Sequence, residues 1–188
     1  MEKKIFFIDF DGTLMRDDKT ISDKNREALR NAVDQGHYIA LATGRAVSSG
    51  RKIAKELGLT RPGCYLVAYN GGTIYDFSAD CILSSKRLPI EYAEYLLREA
   101  TEAGIHIQTY SDTQVLAVER NNELDFYTKR TGMPCRITGN LNSMLYEEPP
   151  KMLLIDLDHK ERLEAFQRMH AEWEKGKCSS FFSCSNSS

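Results

Sequence analysis

The run Ile5-Phe6-Phe7-Ile8, followed at once by Asp9-Phe10-Asp11-Gly12-Thr13, limits what this chain can become more than any other feature. Four consecutive apolar residues without alternation suit a strand covered on both faces, as in a parallel sheet between helices. Two carboxylates one residue apart at the end of such a strand are costly unless paired or bound to a cation. The chain is thereby directed to an α/β fold whose first strand delivers acidic groups to its carboxyl edge.

The following segments keep that pattern. Ser22 can cap a helix running to about Gln35, with Ala28, Leu29, Ala32 and Val33 as its apolar face and Gly36 as its stop. Tyr38 to Ala42 reads as a second buried strand ending at Thr43-Gly44-Arg45, and a helix spans about Ala46 to Leu57. Tyr65 to Ala68 reads as a third strand. Asn70-Gly71-Gly72 is a hairpin signal, with Thr73 to Asp76 as the return strand. The β-α-β-α-β order predicts a doubly wound, Rossmann-like layer. In such sheets ligands sit at the carboxyl ends of the strands, where three polar motifs now converge.

After about Leu83 the pattern changes to α+β. A helix from about Ile90 to Ala103 precedes two alternating stretches, Ile105 to Tyr110 and Val115 to Glu119, which read as a hairpin. A helix near Leu124 to Arg130, a strand from Lys151 to Asp158, an amphipathic helix from Lys160 to Lys175 and a serine-rich tail complete the chain. The expected division is residues 1–82 and 83–188.

Composition narrows the partners. A net charge of −2 over 188 residues gives no basic field for nucleic acid or an anionic membrane. A small anionic substrate would need a local cluster of donors. The five cysteines have irregular spacing and form no CxxC pair or zinc pattern, which suits thiols in a reducing compartment. The N-terminal apolar run is too short for a signal peptide or a membrane span, so the expected location is cytoplasmic.

The chemistry lies in the motifs. Asp9 and Asp11 offer hard oxygen ligands, and Mg²⁺ is served by one or two carboxylates together with a substrate phosphate. A carboxylate can also attack phosphorus to give an aspartyl-phosphate, and a second carboxyl can protonate the leaving oxygen and then activate water. Gly12 allows a sharp turn that exposes amide N–H groups to phosphate oxygens. A calcium-binding EF-hand is excluded because Leu14 stands where that loop needs glycine. The Thr43 hydroxyl can donate to a phosphate oxygen, Gly44 keeps the approach open, and Arg45 can add charge or cover a helix with its stem. Asn70 can donate to substrate or simply make the turn.

The sequence Ile8-Asp9-Phe10-Asp11-Gly12-Thr13-Leu14 resembles the first signature motif of the haloacid dehalogenase (HAD) superfamily, and Leu41-Ala42-Thr43-Gly44-Arg45 resembles the second. The hairpin around Asn70-Gly71-Gly72, followed by an α/β insertion, is similar to the Cof-type branch with a C2B cap. The resemblance implies a Rossmann-like core with an inserted α+β cap that closes over the site. It also implies Mg²⁺-dependent hydrolysis of small phosphorylated metabolites such as sugar phosphates. On that basis Asp9 is the nucleophile and a metal ligand. Asp11 is the general acid/base and lends its carbonyl to the metal, while Thr43 binds the phosphoryl group. The family's third-motif lysine and fourth-motif acidic cluster have no recognisable counterpart. Lys151 with Asp156 and Asp158 imitates them but lacks the glycine and the helix entry. The expectation is a chain that stops inside or just after the cap, without the C-terminal core segment. Its first strand would then have a bare edge, open to pairing with a second copy. Its function would be either turnover or phosphate binding alone.

Overall fold

Strand β1 (Ile5–Asp9) pairs in parallel with β2 (Tyr38–Ala42), and β2 with β3 (Cys64–Ala68). These elements come from a computed structural model that describes residues 2–16, 18–180 and 182, so most of the serine-rich tail, including Cys184, lies outside the described residues. The return strand β4 (Thr73–Asp76) is antiparallel to β3, and β5 (Cys81–Ser85) is antiparallel to β4, giving the order β1-β2-β3-β4-β5. The α/β core expected from the sequence is present.

The crossovers form for local reasons. Helix α1 (Asp23–Asp34) is capped by the Ser22 hydroxyl, which accepts from the Asn25 N–H at 3.2 Å. Helix α2 (Val47–Leu57) stops where Gly58 turns left-handed at φ 71°. Its inner face buries Gly50, Ile53, Ala54 and Leu57. Gly50 lies against Leu66 so closely that an added methyl would stand 2.5 Å from the leucine side chain.

The chain divides into Met1–Arg87 and Leu88–Ser188. The break falls after residue 87 rather than near 83, because β5 completes the first sheet by pairing with β4. A second correction concerns β1. Its residues are not covered on both faces: Ile5 is 50% exposed and Phe7 66% exposed. β1 is the edge of its sheet, and no described strand pairs with its outer side.

The second unit contains α3 (Ile90–Glu102), β6 (His106–Tyr110), β7 (Val115–Ala117), α4 (Asn122–Thr131), β8 (Cys135–Ile137), α5 (Leu141–Met144), β9 (Leu153–Ile155) and α6 (Lys160–Glu174). Its sheet has the order β8-β7-β6-β9. One face of β6 places Ile107 in a core with Ala93, Leu97, Leu116 and Phe166. The opposite face carries a polar chain. The Tyr110 hydroxyl donates to Tyr127 at 2.8 Å, Gln108 donates to Tyr110, and His106 lies 3.1 Å from Gln108. Lys151 and Asp156 belong to this unit. Burial pushes the Lys151 ammonium down to about 8. Asp156 accepts from the Asp158 and His159 backbone and pairs with Arg162 at 3.2 Å, so it organises the entry to α6. Among the described residues no helix is long and apolar enough to cross a membrane.

Candidate phosphate site at the carboxyl edge

The register of the first sheet brings the motifs together. Asp9 stands opposite Ala42, and Ala42 opposite Val67, so the polar residues after β1, β2 and β3 share one edge. The loops behind them are tied by backbone bonds. The Asn70 N–H donates to the Thr43 carbonyl and the Tyr69 N–H to the Arg45 carbonyl, each at 3.1 Å.

In the first motif, outward carboxylates alternate with inward anchors. Phe10 is fully buried, and Leu14 and Met15 are buried behind it, while Asp9 and Asp11 are exposed. Two backbone bonds close the turn, from the Leu14 N–H to the Asp9 carbonyl at 3.1 Å and from the Met15 N–H to the Phe10 carbonyl at 2.8 Å. Gly12 makes this possible at φ +79°, a region that L side chains rarely adopt.

A cavity of about 280 Å³ opens at this edge, lined by Asp9, Ala42, Thr43, Gly44, Val67, Asn70 and Gly71. Four of the seven residues singled out from the sequence thus line one space: Asp9, Thr43, Gly44 and Asn70. Asp11, Gly12 and Arg45 are not among its walls. Thr43 is buried, and its hydroxyl accepts the Arg45 N–H at 3.1 Å, which leaves the hydroxyl proton for a ligand oxygen. Gly44 has a steric reason: a Cβ there would stand 2.8 Å from the Asn70 amide oxygen. Asn70 sits in a 3-10 turn (Tyr69–Gly71) at φ 57° rather than in a bare two-residue hairpin turn. Asparagine tolerates that region better than most residues.

Asp11 is engaged from two sides. Arg45 Nη2 donates to Oδ1 at 2.6 Å and Nε to Oδ2 at 3.0 Å, and Lys19 Nζ reaches Oδ1 at 3.2 Å. Partial burial alone would raise this carboxyl. The hydrogen bonds and charges of Arg45, then of Lys19, outweigh it and hold the group below its ordinary value of 3.8. Sequence reasoning missed Lys19. Its separation from Asp11 carries no periodic signal, and the contact depends on a turn in which the Lys19 N–H bonds the Arg16 carbonyl at 2.9 Å.

The Asp9 carboxylate makes no side-chain hydrogen bond or ion pair among the described residues, while its backbone carbonyl accepts the Leu14 N–H. An open carboxylate on a polar cavity, with a second carboxyl two residues on, suits a hard cation that keeps waters and binds phosphate. Among the described residues there is no cluster of three or more His, Cys, Asp or Glu side chains to form an all-protein metal cage.

Residues 6–187 match the haloacid dehalogenase-like hydrolase family. A 73-residue stretch is 42% identical to the 5-amino-6-(5-phospho-D-ribitylamino)uracil phosphatase YcsE of Bacillus subtilis, covering 39% of this chain and 28% of that protein. Over 174 residues the chain is 25% identical to the pyridoxal phosphate phosphatase YbhA of Escherichia coli, covering 93% of this chain and 58% of YbhA. It therefore spans less than two thirds of either relative. A crystal structure of a haloacid dehalogenase-like hydrolase from Bacteroides thetaiotaomicron superimposes with a TM-score of 0.86 at 26% identity, over 97% of this chain and 68% of that one.

Proposed function

Because the chain belongs to the haloacid dehalogenase-like hydrolases, we propose that it serves a Mg²⁺-dependent phosphatase acting on small phosphorylated metabolites through an aspartyl-phosphate on Asp9. The observation that carries this reading is the cavity where Asp9, Thr43 and Asn70 meet. An Asp9 carboxylate oxygen forms a bond to phosphorus as the ester P–O bond breaks. Asp11 gives its proton to the departing alcohol oxygen. As a carboxylate, Asp11 then takes a proton from water. The water oxygen bonds to phosphorus, the Asp9–phosphorus bond breaks, and inorganic phosphate leaves. The Thr43 hydroxyl, the Asn70 amide and the backbone amides around Gly12 and Gly44 would hold the phosphoryl oxygens. Magnesium, held by the Asp9 carboxylate and the Asp11 carbonyl, would supply charge shielding between nucleophile and phosphate.

The substrate class is supported by the names of the relatives, both phosphatases of small phosphorylated molecules. We assign the Leu88–Ser188 unit as the family's cap, the part that selects substrate. A reducing cytoplasm is supported by the free thiols of Cys64, Cys81, Cys135 and Cys178. The exposed Ile5, Phe6 and Phe7 support pairing of two copies along β1, which sedimentation of Phe7→Lys against the parent chain tests.

The primary test is phosphate release from a panel of sugar phosphates, with and without Mg²⁺. Turnover should require the metal and fall at least about 10³-fold in Asp9→Asn. Full activity in that variant would overturn the assignment.

A further inference from the structure

Both oxygens of Asp11 accept hydrogen bonds. The Arg45 guanidinium meets them as a two-pronged fork, the strong bidentate form of a charge-assisted pair. The Arg45 side chain is 15% exposed and the Asp11 side chain 46%, so the pair is shielded on the arginine side and open to solvent on the carboxylate side. The fork takes a lone pair on each oxygen and fixes the direction in which the carboxylate points, yet the reaction proposed above needs Asp11 to turn to a leaving group.

The surroundings show what can release it. Arg45 directly follows Thr43 and Gly44, two walls of the cavity. Its backbone is fixed at both ends, the N–H on the Thr43 hydroxyl and the carbonyl by the Tyr69 N–H, each at 3.1 Å. Only the side chain has to move. A phosphate group also accepts the fork through two oxygens and carries up to twice the charge of a carboxylate. Lys19 reaches Asp11 from a separate turn, and its single ammonium engages one oxygen only.

We infer that Arg45 is a phosphate-operated latch: it holds Asp11 until a phosphate group enters the cavity, then moves its guanidinium to the phosphate and leaves Asp11 on Lys19 with one oxygen free. This rests on the phosphatase reading. It makes Arg45 a positioning residue for Asp11 in the empty site and a phosphate ligand in the filled one.

The test uses the 188-residue chain carrying Asp9→Asn, in which no phosphoenzyme forms, titrated with inorganic phosphate in the presence of Mg²⁺. Calorimetry measures binding, and the ¹⁵N NMR signal of Arg45 Nε reports the fork. The expected result is saturable binding with the Arg45 signal moving in parallel. Adding Asp11→Asn removes the competitor and should tighten phosphate binding about tenfold, but no more than about twofold in an Arg45→Ala background. The second comparison subtracts the plain effect of deleting a negative charge. Phosphate binding that leaves the Arg45 signal in place, or equal tightening in both backgrounds, overturns the latch and spares the phosphatase reading. No phosphate binding by this variant or by the parent chain overturns both.

Discussion

Gly50 lies within helix α2, where glycine costs about 1 kcal/mol relative to alanine. On helix propensity alone Gly50→Ala should therefore stabilise the chain. The packing gives the opposite sign. A Cβ at this position would stand 2.5 and 2.6 Å from the two Leu66 methyl carbons and 3.1 Å from Cγ, and Leu66 is fully buried in β3. Overpacking of this kind costs about 1–3 kcal/mol, and three short contacts on a shielded side chain put it in the upper part of that range. After the helical gain, the expected net loss is about 1–2 kcal/mol. A chain of two units has no single well-defined unfolding midpoint. The suitable assay is therefore native-state hydrogen exchange at the β2 and β3 amides, whose protection should fall by that amount. Leu66→Ala alone should cost about 2–5 kcal/mol, and about 1–2 kcal/mol less when Gly50→Ala is already present, because the deleted methyls are the ones in the way. Greater protection in Gly50→Ala, or strictly additive losses in the double variant, would refute the argument from close approach.

Three further outcomes follow from the first unit. Gly12→Ala meets open space but must adopt φ +79°, so it should lose about 1–2 kcal/mol in the same exchange experiment; an unchanged value would mean that the loop relaxes. Burial, then the hydrogen bond to Asp80, pushes the Tyr75 phenol up to about 12. The stability it contributes is complete below the ordinary value of 10 and is lost as pH rises through 12. An absorbance titration should show late-ionising phenol absorbance near pH 12 that falls by one residue's worth in Tyr75→Phe. For Asp11 the sign reverses: its folded-state pKa is lowered, so pairing with Arg45 and Lys19 stabilises fully above 3.8 and is lost as pH falls through the lowered value. Asp11→Asn should flatten that acid limb of a stability–pH curve, and an unchanged limb would show that the ion pairs contribute nothing.

What was legible in the sequence and what was not divides along physical lines. The strands β2 and β3 and the helices α1 and α2 could be read because their partners are implied by their own patterns: apolar runs for strands, Ser22 and Gly58 for the helix ends. The three motifs at the carboxyl edge could be read because the strand–loop–helix order sends them there. Strand β5 could not. Every residue of Cys81–Ser85 is exposed, and its order comes from pairing with β4, not from a buried face. The burial of Ile5 to Ile8 was misjudged for a related reason: composition states what a strand tolerates, while neighbours decide what covers it. Lys19 on Asp11, and Leu66 against Gly50, are meetings of loops and layers that no local pattern encodes.

The charges at the carboxyl edge separate two roles that the site has to fill. Arg45 and Lys19 both pair with Asp11, and the Asp9 carboxylate stands open, so these four charges of the empty site sum to zero. A phosphate dianion brought into it adds two negative charges beside the Asp9 carboxylate, and like charges about 4 Å apart repel by about 4 kcal/mol each at a surface-like dielectric. Moving Arg45 from Asp11 to the phosphate does not change the sum, because the cation it gives the phosphate is taken from Asp11. Neutrality needs charge beyond these four residues, and a divalent cation on the open Asp9 carboxylate is what that donor set accommodates. Metal and arginine are therefore not interchangeable in the proposed reaction. The metal would set whether phosphate can stay beside Asp9, and the latch would set when Asp11 becomes available to it. An enzyme of this design would keep its acid occupied in the empty site and release it only where there is a phosphate ester to cleave.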